Sequence, residues 1–538
     1  MGKDNQNNTP FLRDRRRGGL RQVIAVSTAA LTLLGCAPSE EQDGAALSPP
    51  RADLESKPNI IVILADDLGH YDLSISGNVM VRTPNIDSIG RDGARFQAGY
   101  AGDAVCAPSR ASLLTGRDFS RFGFEWLPHL PGFIRARDGT YVTEQHPAVL
   151  LPPAPPPPKE RNGLPDSEIT LASALKPLGY HTGLVGKWHL GTSKPLLPIN
   201  RGFDEFIGFP GGASLYASPD DPSVKTVKLP WSGIDGYLYD NLTTKVWRNG
   251  EMVPATKYMT EELGDEAVGF IDRNKASPFF LYLSFNAPHN PIQAPISDYD
   301  KLGHVKNERT RTYYAMIENL DAQVGRVLEK LKKDGLEENT LIFFTSDNGG
   351  ASYHHIPAEN LPWRGWKTSY FEGGLNVPYL VRWPAKVSPG TIIPGMTSSL
   401  DIFPTALAAA GGALPADREY DGVNILPAIT GAEPDSLIDR TLYWRKGDYR
   451  AMRHGQWKLQ TAKYPNRVWL YDLENDPTER FNLADTMPEK VAELRAIYDK
   501  QEEKYVAPAW QPVARTRVDI DGYFEDIGDD VDYVYWAN

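Results

Sequence analysis

Four apolar runs in the sequence each end abruptly in polar residues, and this pattern constrains the fold most. Residues Asn59–Ala65 form a run that is apolar after its first residue and rich in β-branched side chains. Such a run is typical of a strand buried on both faces of a parallel sheet. Similar runs occupy Leu341–Ser346, Phe279–Phe285 and, less strongly, Tyr180–Val185. We therefore predict an α/β fold with a mixed, mostly parallel central sheet flanked by helices.

The polar residues that follow these runs are the candidates for chemistry. In open α/β sheets, ligands bind beyond the carboxyl ends of the parallel strands, which meet at one edge. Any one of these polar ends could be an ordinary loop, but four together indicate a functional site. The side chains that the runs would deliver to this edge are Asp66, Asp67, Asp347, Asn348, His289, Lys187 and His189.

Further along the chain, the pattern predicts one long helix and a change of architecture. Apolar residues spaced three and four apart from Tyr314 to Leu331 predict an amphipathic crossover helix that ends near Gly335. After about residue 430, short strands with hairpin-length connections follow, and then a helix from Pro488 to about Glu503. We predict a catalytic domain over residues 59–430 and a smaller antiparallel-sheet subdomain over 431–538. The predicted short strands are Thr441–Arg445, Tyr449–Arg453, Trp457–Gln460 and Val468–Leu473.

Composition excludes several classes of protein. The chain has 538 residues, of which 41% are hydrophobic and 23% charged, as in globular proteins. Lys and Arg number 57 against 69 Asp and Glu, a net charge of −12, which argues against a nucleic-acid partner. With only Cys36 and Cys106 present, a disulfide framework is excluded as well.

Cys36 follows a segment that is typical of an export signal. Arginines between Arg13 and Arg21 precede the apolar run Val23–Leu34, which is too short to cross a bilayer as a helix. The run ends in Leu-Leu-Gly-Cys, which resembles a bacterial lipobox with Cys36 as the lipidated residue. The alternative is a buried helix with an incidental cysteine. We predict a signal peptide over residues 1–35, a tether over 36–58, and a lipid-anchored protein of the bacterial cell envelope, periplasmic or at the outer membrane.

Cys106 begins the most specific motif of the chain. The sequence Cys-Ala-Pro-Ser-Arg from Cys106 to Arg110, followed by Leu-Thr-Gly-Arg ending at Arg117, resembles the signature of the type I sulfatases at every fixed position. In that family the cysteine is converted after synthesis to formylglycine, an aldehyde whose hydrate is the nucleophile. A buried core thiol is the alternative for a lone cysteine. A helix predicted from Ser109 would place Cys106 near its N-terminus, where free N–H groups favour an anion.

The resemblance extends from Asn59 to about Ala484 and implies an alkaline-phosphatase-like fold with bound Ca²⁺. Asp66 and Asp67 match the first calcium-ligand motif of the family, and Asp347 and Asn348 match the second. The formylglycine derived from Cys106 would complete the protein's share of the shell. Carboxylate and amide oxygens are the ligands that Ca²⁺ takes.

The resemblance also implies catalytic roles. Arg110, Lys187 and Lys367 would neutralise the sulfate oxygens. His289 and Lys367 would protonate the leaving alcohol, and His189 would act as the base that allows sulfate to be released. Taken singly, each histidine could equally be a hydrogen-bonding loop residue. Two departures from the family stand out: Asn376 replaces a frequent arginine, and His70-Tyr71 replaces the usual small pair.

Two other functions stay open on sequence alone. A phosphodiesterase or phosphonate monoester hydrolase of the same fold can also carry formylglycine, and a non-catalytic lipoprotein could bind sulfated glycans. The sulfatase hypothesis implies a sulfated carbohydrate or aryl sulfate as substrate, with an extracellular glycan favoured. It also implies a partner, the formylglycine-generating maturation enzyme, which reads Pro108 and Arg110 on the unfolded chain.

Overall fold

A ten-stranded mixed sheet forms the centre of the protein, with the strand order β13-β2-β12-β11-β1-β9-β4-β5-β7-β8. The structure is a computed structural model that describes residues 57–128, 148–151, 155–512, 514–523 and 531–537. Cys36, the signal peptide and nearly all of the tether therefore lie outside the described residues. The strands are β1 (Asn59–Asp66), β2 (Ala94–Tyr100), β3 (Ala148–Leu150), β4 (His181–Lys187), β5 (Glu205–Phe209), β6 (Val224–Val227), β7 (Lys245–Arg248), β8 (Glu251–Pro254), β9 (Phe279–Pro288), β10 (Ile292–Pro295), β11 (Thr340–Ser346), β12 (Tyr379–Arg382), β13 (Thr391–Ser398), β14 (Thr441–Lys446), β15 (Tyr449–His454), β16 (Trp457–Ala462), β17 (Arg467–Asp472), β18 (Ala514–Asp519) and β19 (Tyr533–Ala537).

The middle of this sheet is parallel, as the apolar runs predict. Strands β11, β1, β9, β4 and β5 pair in parallel, and Ile61 lies between Ile342 and Leu281. Strands β12 and β7 pair antiparallel with the two sides of this parallel group, and the outer strands β13 and β2 pair in parallel with each other. Every residue of β1 is buried, and each fully buried aliphatic side chain contributes roughly 1.5–3 kcal/mol. The four predicted runs are thus neighbouring strands whose carboxyl ends share one edge.

Helices cover both faces of the sheet, because successive residues of β1 point in opposite directions. Ile60 and Val62 belong to one hydrophobic cluster, and Ile61 and Ile63 belong to another on the opposite face. The α-helices are α1 (Pro84–Arg91), α2 (Cys106–Thr115), α3 (Leu171–Leu175), α4 (Gly233–Asn241), α5 (Met259–Asn274), α6 (Ile296–Lys301), α7 (Glu308–Lys333), α8 (Glu372–Leu375), α9 (Ile402–Ala409), α10 (Leu426–Ile429) and α11 (Pro488–Glu502).

Helix α7 is the predicted amphipathic crossover. It begins at Glu308, earlier than the apolar pattern, because the side chain of Asn307 caps it by accepting a hydrogen bond from the Thr310 N–H at 3.0 Å. Its apolar stripe packs into the cluster that holds Ile61. No helix in the described ranges is long and apolar enough to cross a bilayer.

The C-terminal part has its own antiparallel sheet, as predicted. Strands β14 to β17 form a four-stranded meander, and α11 packs beside it. Strands β18 and β19 join the three-residue β3 in a further sheet, with Ala514 opposite Leu150. The sequence pattern did not predict this sheet, since three residues carry no readable periodicity. The domain boundary at residues 430 and 431 stays a prediction.

Candidate active site

The ends of four parallel strands bring the predicted site residues together. Asp66 ends β1 and Lys187 ends β4, while His289 and Asp347 directly follow β9 and β11. The potential ligand atoms of Asp66, Asp67, Cys106 and His289 all lie within 4.8 Å of one another, and all four residues are buried. Asp67 has a φ of +61°, a left-handed conformation that marks a sharp change of chain direction at this strand end.

Cys106 is the first residue of α2, so the helix begins three residues before the predicted start at Ser109. Pro108 is compatible with this start because proline fits the first turn, where its missing N–H has no partner to lose. The Cys106 side chain is 2% exposed, and its Sγ lies 3.7 Å from Asp67 Oδ1. Burial raises the pKa of the thiol, and the neighbouring Asp347 raises it further. An unmodified Cys106 is therefore a neutral thiol near pH 7, which is a poor nucleophile.

Arg110, one turn further along α2, contacts carboxylates at the strand ends. Its Nε donates to Asp347 Oδ2 at 2.8 Å, its Nη2 lies 2.7 Å from the same oxygen in an ion pair, and its Nη1 donates to Ser284 Oγ. Burial alone would raise the pKa of Asp347, but Arg110 and then Lys187 outweigh it and hold that pKa below its usual value. Because Arg110 is completely buried, it positions Asp347 and the nucleophile helix.

Two lysines each hold one carboxylate of the acid pair. Lys187 Nζ lies 2.8 Å and 2.7 Å from the two oxygens of Asp66, and Lys367 Nζ lies 2.7 Å and 2.8 Å from those of Asp67. Burial raises the pKa of Asp66 to about 7, and Lys187 only partly opposes this effect. Burial acts on Asp67 too, but Lys367, His289 and Lys187 together hold its pKa well below the usual value. Two adjacent carboxylates thus differ greatly in their affinity for a proton.

Both predicted catalytic histidines are buried and neutral. Burial lowers the pKa of His289 to about 3, and burial with nearby Lys187 and Arg110 lowers that of His189 well below its usual value. His289 Nδ1 donates to the Asn290 carbonyl at 2.6 Å, so Nε2 carries the free lone pair 3.7 Å from Asp67 Oδ2. His189 Nδ1 has no hydrogen-bond partner among the described residues. Each imidazole can accept a proton without first losing one.

Tyr353 is a site residue that the sequence motifs do not identify. Its hydroxyl donates to Asp67 Oδ2 at 3.1 Å and accepts a hydrogen bond from Lys367 Nζ at 3.4 Å. Ser284, the partner of Arg110, was missed because it lies inside an apolar strand run. Neither residue stands in a recognisable motif, so only the three-dimensional structure identifies them.

A lysine from the C-terminal sheet supplies the positive charge that an arginine at position 376 would bring. Asn376 Nδ2 donates to Glu372 Oε2 at 2.9 Å. Lys458, on β16, approaches Glu372 Oε1 at 2.7 Å and Glu479 Oε1 at 3.0 Å. All of these side chains are buried. The positive charge beside Glu372 therefore comes from a different part of the chain than the sequence motif suggests.

The residues at the strand ends fit a divalent cation held by oxygen. Asp66, Asp67 and Asp347 offer carboxylates, and Asn348 contributes an amide next to them. The Asn348 Nδ2 donates to Asp67 Oδ1 at 2.8 Å, while its buried Oδ1 has no hydrogen-bond partner in the part of the chain that the structure describes. An acceptor without a donor beside clustered carboxylates suits a hard cation.

Several known proteins are similar to this chain in sequence and in fold. The sulfatase family model matches residues 58–413, and the model of the N-sulphoglucosamine sulphohydrolase C-terminal region matches residues 364–505. N-acetylgalactosamine-6-sulfatase of Canis lupus familiaris is 35% identical over 418 residues, which cover 76% of this chain and 72% of the relative. The arylsulfatase of Hemicentrotus pulcherrimus is 35% identical over 414 residues, covering 75% and 67%. The crystal structure of Ps i-CgsB in complex with k-i-k-neocarrahexaose is 32% identical, with a TM-score of 0.71 and coverage of 85% of this chain and 95% of that chain.

The fold, the strand-end site and these likenesses define an enzyme that hydrolyses sulfuric esters. The chain belongs to the sulfatase family, in its type I branch. This confirms the predicted fold class and the predicted activity. The two alternatives that sequence alone left open, a phosphoester or phosphonate hydrolase and a glycan-binding lipoprotein without activity, are therefore not adopted. The roles of individual site residues stay predictions.

Proposed function

We propose that this sulfatase removes sulfate from extracellular sulfated glycans, using a formylglycine derived from Cys106 and a bound Ca²⁺. The observation that carries the proposal is the position of Cys106, buried at the start of α2 beside Asp67 and opposite two lysines. A neutral thiol there is a poor nucleophile, whereas the hydrated aldehyde supplies a hydroxyl for attack on sulfur. Asp66, Asp67, Asp347 and Asn348 would hold the Ca²⁺, which supplies positive charge for the sulfate oxygens.

The surrounding side chains have complementary tasks in this proposal. Lys187 and Lys367 place their ammonium groups at the acid pair and neutralise negative charge on the sulfate. Arg110 acts through Asp347, which it holds with a hydrogen bond from Nε and an ion-pair contact from Nη2, and so keeps that carboxylate ready to take a proton.

Three side chains would move protons at the two ends of the reaction. Lys367, whose ammonium contacts Asp67, would deliver a proton to the leaving oxygen, and His289 would share this task after taking up a proton at Nε2, which faces Asp67. His189, neutral and with a free Nδ1 among the described residues, would accept the proton whose loss releases sulfate.

The choice of a glycan substrate rests on the relatives. The dog relative carries a name that specifies a 6-sulfate of N-acetylgalactosamine, and Ps i-CgsB is solved in complex with k-i-k-neocarrahexaose. The first name specifies a sulfated sugar, and the second specifies an oligosaccharide. An aryl sulfate would serve as a small test substrate of the same site.

The location of the enzyme is proposed from residues 13–36 alone. A basic stretch, a short apolar run and the lipobox-like end at Cys36 support export and anchoring by lipid in a bacterial cell envelope. Cys36→Ser is expected to move the protein from the membrane fraction to the soluble fraction with unchanged turnover. Native protein that fractionates as soluble with an unmodified Cys36 contradicts this part of the proposal.

The activity is tested by co-expressing the chain with a formylglycine-generating enzyme and measuring free sulfate. The substrates are 4-nitrophenyl sulfate, sulfated N-acetylgalactosamine and neocarrahexaose, with 4-nitrophenyl phosphate as the matched control. We expect sulfate release from at least one sugar and much slower hydrolysis of the phosphate ester. Faster turnover of the phosphate ester would favour the phosphohydrolase alternative instead.

A further inference from the structure

A second pocket lies outside the strand-end site, between the C-terminal sheet and the segment that follows α2. Its volume is about 410 Å³. None of the site residues described above lines it. The residues that give the pocket its chemical character are Trp126, Arg445, Lys446, Lys463, Tyr464 and Arg515.

This pocket is basic on a protein whose net charge is −12. Its lining holds the cations Arg445, Lys446, Arg450, Lys463 and Arg515 against the carboxylates Glu125, Asp448 and Glu502. A local excess of positive charge in a concave surface concentrates anions, whatever the charge of the whole protein.

Some of these cations form close ion pairs with carboxylates of the protein, and others have longer contacts or are exposed. Arg445 is bound by Glu125 at 2.5 Å, and Arg450 is bound by Glu502 at 2.8 Å. Arg515 reaches Asp448 only at 3.4 Å, and Lys463 is an exposed side chain near it. Lys463 and Arg515 are therefore the cations of the pocket that can best pair with an anionic ligand.

Four of the cations lie over aromatic rings in the same pocket, and Lys463 Nζ lies 5.5 Å from the centre of the Tyr464 ring. The Arg515 guanidinium lies 4.3 Å from the centre of the Tyr464 ring, Lys446 Nζ lies 5.9 Å from that of Trp126, and Arg445 lies 4.9 Å from that of Tyr505. An aromatic face beside a cation suits a sugar ring that carries an anionic group, since the ring stacks and the charge pairs. The Trp126 Nε1 is buried and has no acceptor in the part of the chain that the structure describes.

Lys446 connects this pocket with the nucleophile. It lines the pocket, and its buried Nζ lies 3.6 Å from Asp103, three residues before Cys106. Gly447, the next residue, adopts a φ of +57°, and a Cβ there would lie 3.0 Å from the Trp126 ring. The glycine thus allows the hairpin to approach Trp126 closely.

We propose that this pocket binds a second anionic sugar unit of the glycan whose sulfate ester is cleaved at the strand-end site. The inference rests on the proposed glycan sulfatase function. It adds a site that binds a neighbouring sugar through its negative charge. Free inorganic sulfate shares part of this chemistry, so the test must separate it from a sulfated sugar.

The test compares Lys463→Ser/Arg515→Ser with wild type on neocarrahexaose and on 4-nitrophenyl sulfate. We expect KM for the hexasaccharide to rise about tenfold with kcat little changed, because charge-assisted contacts to the chain are lost. The small aryl sulfate does not reach the pocket, so its kinetics stay at the wild-type level. Lys332→Ser/Lys333→Ser, which removes two exposed charges at the end of α7, is the matched control and is expected to change neither KM.

Binding measured without turnover separates this proposal from the proposed function. In a Cys106→Ala background, calorimetry with neocarrahexaose should show about tenfold weaker binding for the pocket variant. An unchanged Kd, or sodium sulfate that binds the pocket as tightly as the hexasaccharide, overturns the pocket proposal. A wild-type enzyme that releases no sulfate from any substrate overturns the proposed function instead, and calorimetry then still decides whether the pocket binds the sugar.

Discussion

Arg110 connects the start of the nucleophile helix to Asp347, just beyond β11: its Nε donates to Asp347 Oδ2 at 2.8 Å, and its Nη2 lies 2.7 Å from the same oxygen. Both side chains are completely shielded from solvent. The planar guanidinium brings two nitrogens to one carboxylate oxygen and a third to Ser284, which a lysine ammonium cannot do with the same geometry. This pair therefore fixes how Cys106 and the strand-end carboxylates lie relative to each other.

Arg110→Lys is expected to lower kcat about 100-fold while the charge is kept, because the two-point contact with Asp347 is lost. Arg121→Lys is the matched control, since Arg121 also binds a carboxylate in two places, Asp421 at 2.7 Å and 2.8 Å, away from the site. Release of sulfate and the melting temperature are measured for both variants. Equal losses of activity in the two would show that Arg110 has no special role.

Removal of the metal should remove activity. Dialysis against EDTA is expected to lower calcium content and sulfate release together, and added Ca²⁺ should restore both. Asp66→Asn should bind less metal than wild type in elemental analysis, whereas exposed Asp435→Asn should match wild type. Zinc in the active protein, or full calcium content in Asp66→Asn, would contradict the ligand assignment.

The state of Cys106 should decide activity. Peptide mass spectrometry of active protein is expected to find formylglycine at position 106, in proportion to the specific activity of each preparation. Cys106→Ala should bind the hexasaccharide without releasing sulfate, and Cys106→Ser should turn over negligibly because it has a single hydroxyl. A fully active preparation with an unmodified thiol at 106 would rule out the formylglycine mechanism.

Lys458→Met should destabilise the protein by about 3–5 kcal/mol, because it leaves Glu372 and Glu479 buried without their ion-pair partner. Asn376→Arg, added to this variant, is expected to restore part of the stability by returning a positive charge next to Glu372. Lys500→Met, an exposed change on α11, is the control. Chemical denaturation gives the free energy of unfolding of all three variants. If Asn376→Arg restores no stability, a charge at position 376 does not replace that of Lys458.

Stability should depend on pH through Asp118. Burial, and then the charge of Asp421, raise the pKa of Asp118 to about 7, although Ser120 and Tyr505 donate hydrogen bonds that oppose the rise. A raised carboxyl pKa means that the folded state holds the proton more tightly than the unfolded state. This contribution is complete below about pH 4 and is lost as the pH rises through about 7.

Between pH 5.5 and pH 8, wild type should therefore lose on the order of 2 kcal/mol that Asp118→Asn does not lose. Urea denaturation at the two pH values gives the comparison. Asp435→Asn should behave like wild type. A steeper loss in Asp118→Asn than in wild type would reverse the sign of this assignment.

The strands and the strand-end residues were predictable because their signals are local. The short β-branched run Asn59–Ala65 is typical of a buried strand, and a motif of fixed spacing surrounds Cys106. The contact of Tyr353 with Asp67 and that of Ser284 with Arg110 were not predictable, since each joins residues far apart in sequence. The start of α2 was placed three residues late, because a proline in a first turn gives the same pattern as a proline before a helix.

The Lys458 contact with Glu372 has a consequence for exchanging parts between sulfatases. Glu372 needs one positive neighbour, and here β16 provides it while position 376 holds asparagine. A chimera that takes its C-terminal sheet from a relative without this lysine would leave the acid unpaired unless residue 376 is exchanged too. Conversely, a C-terminal sheet with this lysine, joined to a catalytic part with arginine at 376, would bury two cations beside Glu372. Residues 376 and 458 must therefore be exchanged together in such chimeras.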